Sequence, residues 1–219
     1  MSNISRVIQS IRPLLAQVLP VPAQEQLLNE RPAKPIATLD ALLAKHPQFK
    51  EVLLDATEQQ LRKPQDKVQR RQRYSGKKKC HTAKTQIVTA QGLVLHLSRW
   101  LPGRASDLTL LRATGVMSLL PAKVTLYVDR GYEGLEDDYP EVGIRKPIRA
   151  QRKRRLTAFG KVYNRVLSSL RIGVEHTLAH LQRFCLLAGI YRGRMQDYDQ
   201  NFLVIAGLHN FRRLGRLSW

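Results

Sequence analysis

Two short apolar runs, each followed directly by an aspartate, constrain the fold of this chain more than any other feature. Val124 to Val128 precede Asp129, and Val52 to Leu54 precede Asp55. Continuous apolar runs of this length are typical of strands buried on both faces, as in sheets with parallel pairs. Ligands of α/β sheets bind beyond the carboxyl ends of such strands, so we expect both aspartates at strand ends and in a site. For Asp129, a cap on the following turn is the alternative.

The remaining patterns favour an α/β fold in one large domain. Strands are predicted at 84–90 and 93–100 around a short Gln91-Gly92 hairpin loop. Apolar spacing predicts helices at 105–113, 159–187 and 198–214. Residues 1–50 have helical spacing broken by prolines, which predicts a short helical arm or a truncated DNA-binding segment before a main domain at 51–219.

The charge of the chain indicates its partner. Lys and Arg number 37 against 17 Asp and Glu, a formal net charge of +20. Such an excess repels itself unless a polyanion neutralises it, so nucleic acid is the expected partner and an acidic membrane surface the second. No apolar run is long enough to span a membrane, and the two cysteines, Cys80 and Cys185, lie in no CxxC motif. We expect a cytoplasmic, nucleoid-associated protein.

Much of the positive charge lies between Arg62 and Lys84, which contain ten basic residues and one acid. A surface that contacts phosphates is the favoured interpretation, and a solvated loop is the alternative. The candidate DNA-binding residues are Arg62, Lys77, Lys78 and Lys79. Tyr74 beside the lysine run is a candidate for stacking on an exposed base.

A third carboxylate, Glu175, stands alone in a basic stretch on the predicted long helix. Thirteen Lys or Arg residues and no other acid lie between Glu141 and Asp197. The alternative role for Glu175 is an ion pair with Arg171 at i,i+4 spacing. His176 and His180 also have a spacing that zinc can use, but no HExxH motif supports a metal there, so we favour polar contacts with DNA.

Asp55, Asp129 and Glu175 together are a suitable ligand set for Mg²⁺, which prefers oxygen ligands. Two such ions, with Mn²⁺ as the alternative, stabilise the attacking and leaving oxygens in phosphodiester chemistry. The chain has no GxxxxGK[ST] loop, so no nucleotide cofactor is expected.

Five motifs in order resemble the DDE transposases of bacterial insertion sequences, in the branch that includes the Harbinger-type nucleases. They are DATE at Asp55, YSGKKKCHTAK at 74–84, PGRASDL at 102–108, DRGYEG at 129–134 and SSLRIGVEHTLAHLQRF at 168–184. The resemblance implies an RNase H-like fold, in which a mixed five-stranded sheet is flanked by helices. It also implies that Asp55, Asp129 and Glu175 are the first, second and third metal-binding acids.

The motifs also depart from the family pattern. Arg171 and Glu175 match it, whereas Ser168 and Gln182 replace a tyrosine and a lysine. The resemblance implies DNA contacts for Arg171 and for Gln182 with its neighbour Arg183. Ser106 stands where many relatives have a histidine, which makes Asp107 a weaker site candidate with a structural role.

The function expected from the resemblance is cleavage and strand transfer at the ends of an insertion sequence. Double-stranded DNA would be the substrate, and a homodimer the active form. Two alternatives stay open, namely a host-retained nuclease of the same fold and a non-catalytic basic DNA-binding protein derived from a transposase.

Overall fold

The computed structural model describes residues 51–120, 124–150 and 155–217, together with Ser10, Ile11, Leu15 and Leu19. The predicted arm at 1–50 therefore lies almost wholly outside the described residues, and the helix expected at 38–45 does so completely.

The described residues form one mixed sheet. Its strands are β1 (Glu51–Gln60), β2 (Tyr74–Ser75), β3 (Cys80–Ala90), β4 (Leu93–Leu97), β5 (Leu101–Pro102), β6 (Thr125–Tyr127) and β7 (Gly143–Arg145). The five main strands are ordered β4, β3, β1, β6, β7, while β2 and β5 add two-residue pairings to β3. β3 pairs antiparallel with both β4 and β1, and β6 pairs parallel with both β1 and β7. The predicted mixed five-stranded sheet is confirmed.

Helices cover both faces of the sheet. They are α1 (Lys67–Arg73), α2 (Asp107–Thr114), α3 (Leu135–Asp138), α4 (Ala158–Leu181), α5 (Cys185–Ala188) and α6 (Tyr198–Leu217). Short 3-10 turns lie at Val116–Leu119, Arg130–Tyr132 and Met195–Asp197. Thus the connections between β1, β6 and β7 contain helices or helical turns, as parallel pairing requires.

The alternation of side chains along β1 separates two hydrophobic cores. Val52 and Leu54 point to the first core, which contains Leu111 of α2 and the buried Tyr132. Leu53 points the other way and packs against the second core, built largely from α4 and α6. Because successive side chains of a strand point to opposite faces, Asp55 shares the α4 face with Leu53.

The second core determines where α4 ends. The predicted helix at 159–187 is interrupted after Leu181, and the chain turns into α5. The Gln59 side chain of β1 donates to the carbonyl oxygens of Leu186 and Gly189 at 2.6 and 3.1 Å. These bonds hold the turn between α4 and α5 against the C-terminal end of β1, where Leu181 and Leu187 are both buried.

Two further local predictions are resolved. The Gln91-Gly92 hairpin is confirmed, and both residues have positive φ, 49° and 79°, which favours glycine at the second position. Part of the basic segment, for which a solvated loop was the alternative, forms the helix α1. The Asp66 side chain caps this helix by accepting from the Gln69 amide at 2.8 Å. In the part of the chain that the structure describes, no helix is long and apolar enough to cross a membrane.

Candidate active site

Asp55 lies within β1, so the prediction that it ends a strand is wrong. The antiparallel pairing of β1 with β3 continues to Gln60, which extends the strand past the aspartate. The parallel pairing with β6, however, stops at Leu53 opposite Tyr127. Asp55 therefore lies just beyond the last residue of β1 that pairs with β6, at the level of the carboxyl end of β6.

Asp129 follows β6 by two residues and fills both roles that the sequence allowed. Its Oδ1 accepts from the Arg130 amide at 2.7 Å and so caps the 3-10 turn Arg130–Tyr132. The same oxygen accepts from Arg171 Nη1 at 2.9 Å. The carboxylate thus stands at a strand end, is oriented by the backbone and is tied to α4.

The two aspartates, distant along the chain, share one electrostatic environment. Burial raises the pKa of Asp55, and the negative charges of Asp129 and Asp107 raise it further. The Ala56 amide, which donates to Asp55 Oδ1 at 2.8 Å, and the Arg171 guanidinium lower that pKa. Because the acids repel one another, a cation placed between them would be stabilised.

Arg171 forms an ion pair with Asp129. Its side chain is 22% exposed and extends from α4 to Asp129. The ion pair of Arg171 is thus with Asp129 and not with Glu175, the alternative that the i,i+4 spacing allowed. An arginine that bridges α4 to the end of β6 fixes the helix over the acids. Asp129 bonds only Nη1 of the guanidinium, so the other nitrogens of Arg171 are available for the DNA contact, which stays a prediction.

Glu175 is exposed on α4. Residues four apart on a helix share a face, so Glu175 lies one turn beyond Arg171 on the same flank. Gly173, His176 and His180 line a groove on the other flank. Among residues 51–120, 124–150 and 155–217, no three Asp, Glu, His or Cys side chains are close enough to hold one ion.

The donor chemistry of the site nevertheless fits a hard divalent cation in part. Asp55 and Asp129 supply carboxylate oxygens, the ligands that Mg²⁺ prefers. Their mutual repulsion is the electrostatic condition that such an ion relieves. The structure thus brings together two of the three predicted acids and leaves the third exposed on the neighbouring helix.

A buried ion network lies on the opposite face of the sheet, beneath the aspartates. Lys84 of β3 is paired directly across from Glu58 of β1. Its Nζ lies 3.4 Å from Glu58 Oε1 and 3.0 Å from Asp107 Oδ1, and it donates to the Ala105 carbonyl at 2.7 Å. Thr82 Oγ1 donates to Glu58 Oε2 at 2.8 Å, so the network is well satisfied.

This network supports the turn that positions Asp129. A Cβ added to Gly131 would lie 2.6 Å from Asp107 Oδ2, so the turn packs directly on that carboxylate. The contact supports the structural role expected for Asp107. Sequence reasoning did not single out Lys84 and Glu58. A lysine inside the apolar strand pattern of β3 was the available signal, because charged groups are buried only when paired.

The predicted lysine contacts lie far from the aspartates. Lys77, Lys78 and Lys79 are exposed in the turn before β3, which begins at Cys80. Asp55 is paired with Ile87, so seven residues of strand, about 24 Å, separate the two levels of the sheet.

A second basic surface lies near the lysine turn. An open depression there is lined by Lys67, Arg70, Arg71, Tyr74, Gly76 and Arg104. Tyr74 is 43% exposed and packs edge-on against His81, so its ring is partly accessible for the stacking role predicted for it. Arg62 is exposed next to the bridge between Leu61 and Tyr191.

The remaining predicted DNA contacts are at the end of α4. Gln182 is the exposed C-terminal cap of the helix, and Arg183 follows it. Arg183 lines a pocket with His180, whereas His176 lines only the adjoining groove. A shared i,i+4 spacing therefore did not give the two histidines the same surroundings.

The strand order, with three antiparallel strands followed by two parallel ones and an acid on the central strand, defines an RNase H-like α/β protein. Residues 54–210 match the family described as DDE superfamily endonuclease, and the chain belongs to that family.

One curated relative is a probable transposase for the insertion sequence element IS702 from Microchaete diplosiphon. It is 34% identical over 166 residues, which are 73% of this chain and 56% of the relative. The chain thus spans little more than half the length of this relative. No solved structure gives a significant match.

Proposed function

We propose that this chain is the catalytic part of an insertion-sequence transposase that cleaves DNA at the ends of its element and joins the freed 3′-hydroxyl to target DNA. The observation that carries the proposal is the position of Asp55 and Asp129, which each follow by two residues the last pair of the parallel strands β1 and β6, Leu53 and Tyr127. Burial and the charge of Asp129 raise the pKa of Asp55, and Arg171 ties Asp129 to α4. Family membership and the name of the IS702 relative support the reaction.

Mg²⁺, or Mn²⁺ in its place, would be held by Asp55, Asp129 and Glu175 and would supply charge stabilisation to the attacking and leaving oxygens. Asp129 is already oriented by the Arg130 amide and Arg171. Glu175 is proposed as the third ligand because it follows Arg171 by one turn, on the flank that carries that arginine.

Positive charge around the site would hold the DNA. Arg171 lies beside the aspartates, while Arg62 and Lys77 to Lys79 lie along the sheet toward the start of β3. Contacts between such residues and phosphates fix the position of a duplex without reading its sequence. A homodimer is proposed as the active form, and light scattering of the DNA complex measures it.

The experiment is cleavage of a plasmid that carries the element ends, with wild-type protein and the variants Asp55→Asn, Asp129→Asn and Glu175→Gln. Each variant should lose about 100-fold or more in the rate of Mg²⁺-dependent nicking, because several kcal/mol of charge stabilisation is removed. DNA binding should be retained, since none of the three side chains is a cation.

Asp137→Asn and Glu141→Gln are the matched controls, because both side chains are exposed acids away from the aspartate pair. They should cleave at the wild-type rate. Full activity in any of the three site variants would contradict the role assigned to that residue. Cleavage without joining of ends would favour the nuclease alternative, and absence of Mg²⁺-dependent cleavage would favour the DNA-binding alternative.

A further inference from the structure

A compact basic pocket lies between the ends of α4 and α6, outside the aspartate site. It has a volume of about 240 Å³ and is lined by His180, Arg183, Phe184, His209, Arg212 and Arg213. None of these lining residues is acidic. A pocket of this size is smaller than a typical site for a drug-sized molecule, so it suits a single small group.

The fold determines the arrangement of these basic side chains. His209, Arg212 and Arg213 are spaced i, i+3 and i+4 on α6, which places them on one face. The Gly92 carbonyl oxygen can only accept a hydrogen bond, so its 2.8 Å contact with His209 Nε2 places a proton on that nitrogen. Arg213 lies against the same glycine, with Nε 3.1 Å from the position of a Cβ. Gly92 of the hairpin turn between β3 and β4 thus contacts both His209 and Arg213 and fixes their positions in the pocket.

The facing helix supplies the other side. The rings of His180 and His209 have centroids 6.0 Å apart, and Arg183 follows His180 just after α4 ends. The C-terminal end of a helix stabilises a nearby cation by about 1 kcal/mol or less. That effect does not explain why five basic side chains converge on one cavity.

The electrostatics of the pocket favour binding of an anion. Among the described residues, Arg183, Arg212 and Arg213 form no ion pair. Partial desolvation lowers the pKa of His180, and the positive charges of Arg183, His209, His176 and Arg213 lower it further. The carboxylate that lines the adjoining groove, Glu51, is engaged by the Tyr127 hydroxyl at 2.9 Å.

We propose that this α4–α6 pocket binds a phosphate group of the DNA backbone at a point separate from the cleavage site. The proposal rests on the proposed function for the identity of the polyanion. A phosphate fits because it is small, carries negative charge and accepts several hydrogen bonds from guanidinium forks.

The position of the pocket suits a contact with the same duplex. From Arg171 to His180 is nine residues of α4, about 14 Å along the helix axis. His180 lies on the flank opposite Glu175, so a bound strand would pass from the aspartates across α4 to α6. The pocket would anchor the duplex without contributing to the reaction.

The first test is a titration of the full chain with inorganic phosphate, followed by NMR of the histidine rings. Phosphate should shift the His180 and His209 signals and raise the pKa of His180, whereas sodium chloride at equal ionic strength should not. Arg183→Gln/Arg212→Gln should abolish the shifts. Equal shifts with chloride, or none with phosphate, would overturn the site.

The second test measures binding of a duplex of about 30 base pairs as a function of salt. Arg183→Gln/Arg212→Gln should weaken binding about tenfold and reduce the slope of log K against log salt by about 0.9, the value for one phosphate. Arg192→Gln/Arg194→Gln removes the same charge from exposed positions outside the pocket and should change affinity less than about twofold. Equal losses in both variants would show a general field effect and overturn the proposal.

These results are separable from failure of the proposed function. If wild-type protein never cleaves DNA but binds it through the pocket, the pocket stands and the catalytic proposal fails. If the protein cleaves and the pocket variant binds and cleaves like wild type, the catalytic proposal stands and the pocket fails. A protein that binds no duplex would overturn the assignment of the phosphate to DNA.

Discussion

Replacement of Lys84 by methionine should strongly destabilise the protein. The Lys84 side chain is 9% exposed and that of Glu58 6%, so both charges are buried within a strand pair. Removing one partner of such a pair leaves an uncompensated buried charge, at a cost of about 3–5 kcal/mol. Asp107 is 28% exposed and can be hydrated in part, so we expect about 3 kcal/mol, at the lower end of that range.

Urea denaturation monitored by circular dichroism measures the free energy of unfolding of wild type and Lys84→Met. A loss of about 3 kcal/mol corresponds to a fall in the midpoint of thermal unfolding of roughly 6–12 °C for a chain of this size. Lys84→Met/Glu58→Gln removes both charges of the strand pair and should recover part of the loss, because Thr82 Oγ1 can still donate to the side-chain oxygen of the introduced glutamine.

The matched control is Lys146→Met. Lys146 also forms an ion pair, with Glu136 at 2.7 Å, but both side chains are partly exposed, at 30% and 40%. Such pairs contribute about 1 kcal/mol or less. If Lys84→Met lies within about 1 kcal/mol of wild type, or if the double variant recovers no stability, the network does not hold β1, β3 and α2 together.

Two further predictions concern the turn at Gly131 and the buried side chain of His96. In Gly131→Ala the new Cβ would lie 2.6 Å from Asp107 Oδ2, so either Asp107 or the Asp129 turn must move. We expect the cleavage rate to fall more than about tenfold. In the control Gly76→Ala the new Cβ would have no heavy atom within 4 Å, so this variant should cleave at the wild-type rate in the same assay. His96 is fully buried, and burial lowers its pKa to about 4. The unfolded chain binds the proton first, so the contribution of neutral His96 to stability is complete above about pH 6.5 and is lost as the pH falls toward 4, a loss of about 3 kcal/mol. Urea titrations of wild type and His96→Phe between about pH 4 and 7 should show this slope only in wild type, and identical slopes would contradict the assignment.

Local patterns in the sequence predicted an α/β fold and several of its strands, and the resemblance in five motifs predicted the mixed five-stranded sheet. Apolar runs at 52–54 and 124–128 predicted strands that are buried in the structure, and the Gln91-Gly92 pair predicted the hairpin between β3 and β4. These signals are local, because burial on both faces and positive φ each select particular residues at particular positions. Resemblance in five motifs extended the prediction to the family.

Predictions about the faces of helices were less successful. The apolar spacing that predicted the two long helices includes Val166 and Phe211, but these side chains are 54% and 63% exposed. An apolar periodicity identifies a helix and its average direction, but which positions are covered depends on where the neighbouring element ends. The early end of α4 has the same origin, since it depends on bonds from Gln59 to a segment 127 residues away.

Local patterns in the amino-acid sequence specify the apolar strands β1 and β6, an aspartate within or just after each of them, and a net charge of +20 that favours a polyanionic partner. Tertiary structure alone decided that Arg171 bonds to Asp129, that Lys84 is buried between Glu58 and Asp107, and that basic side chains of α4 and α6 meet in one pocket. The physical reason is distance along the chain. Local composition fixes strands and turns, whereas contacts between residues far apart in the sequence exist only after the sheet and its helices have packed.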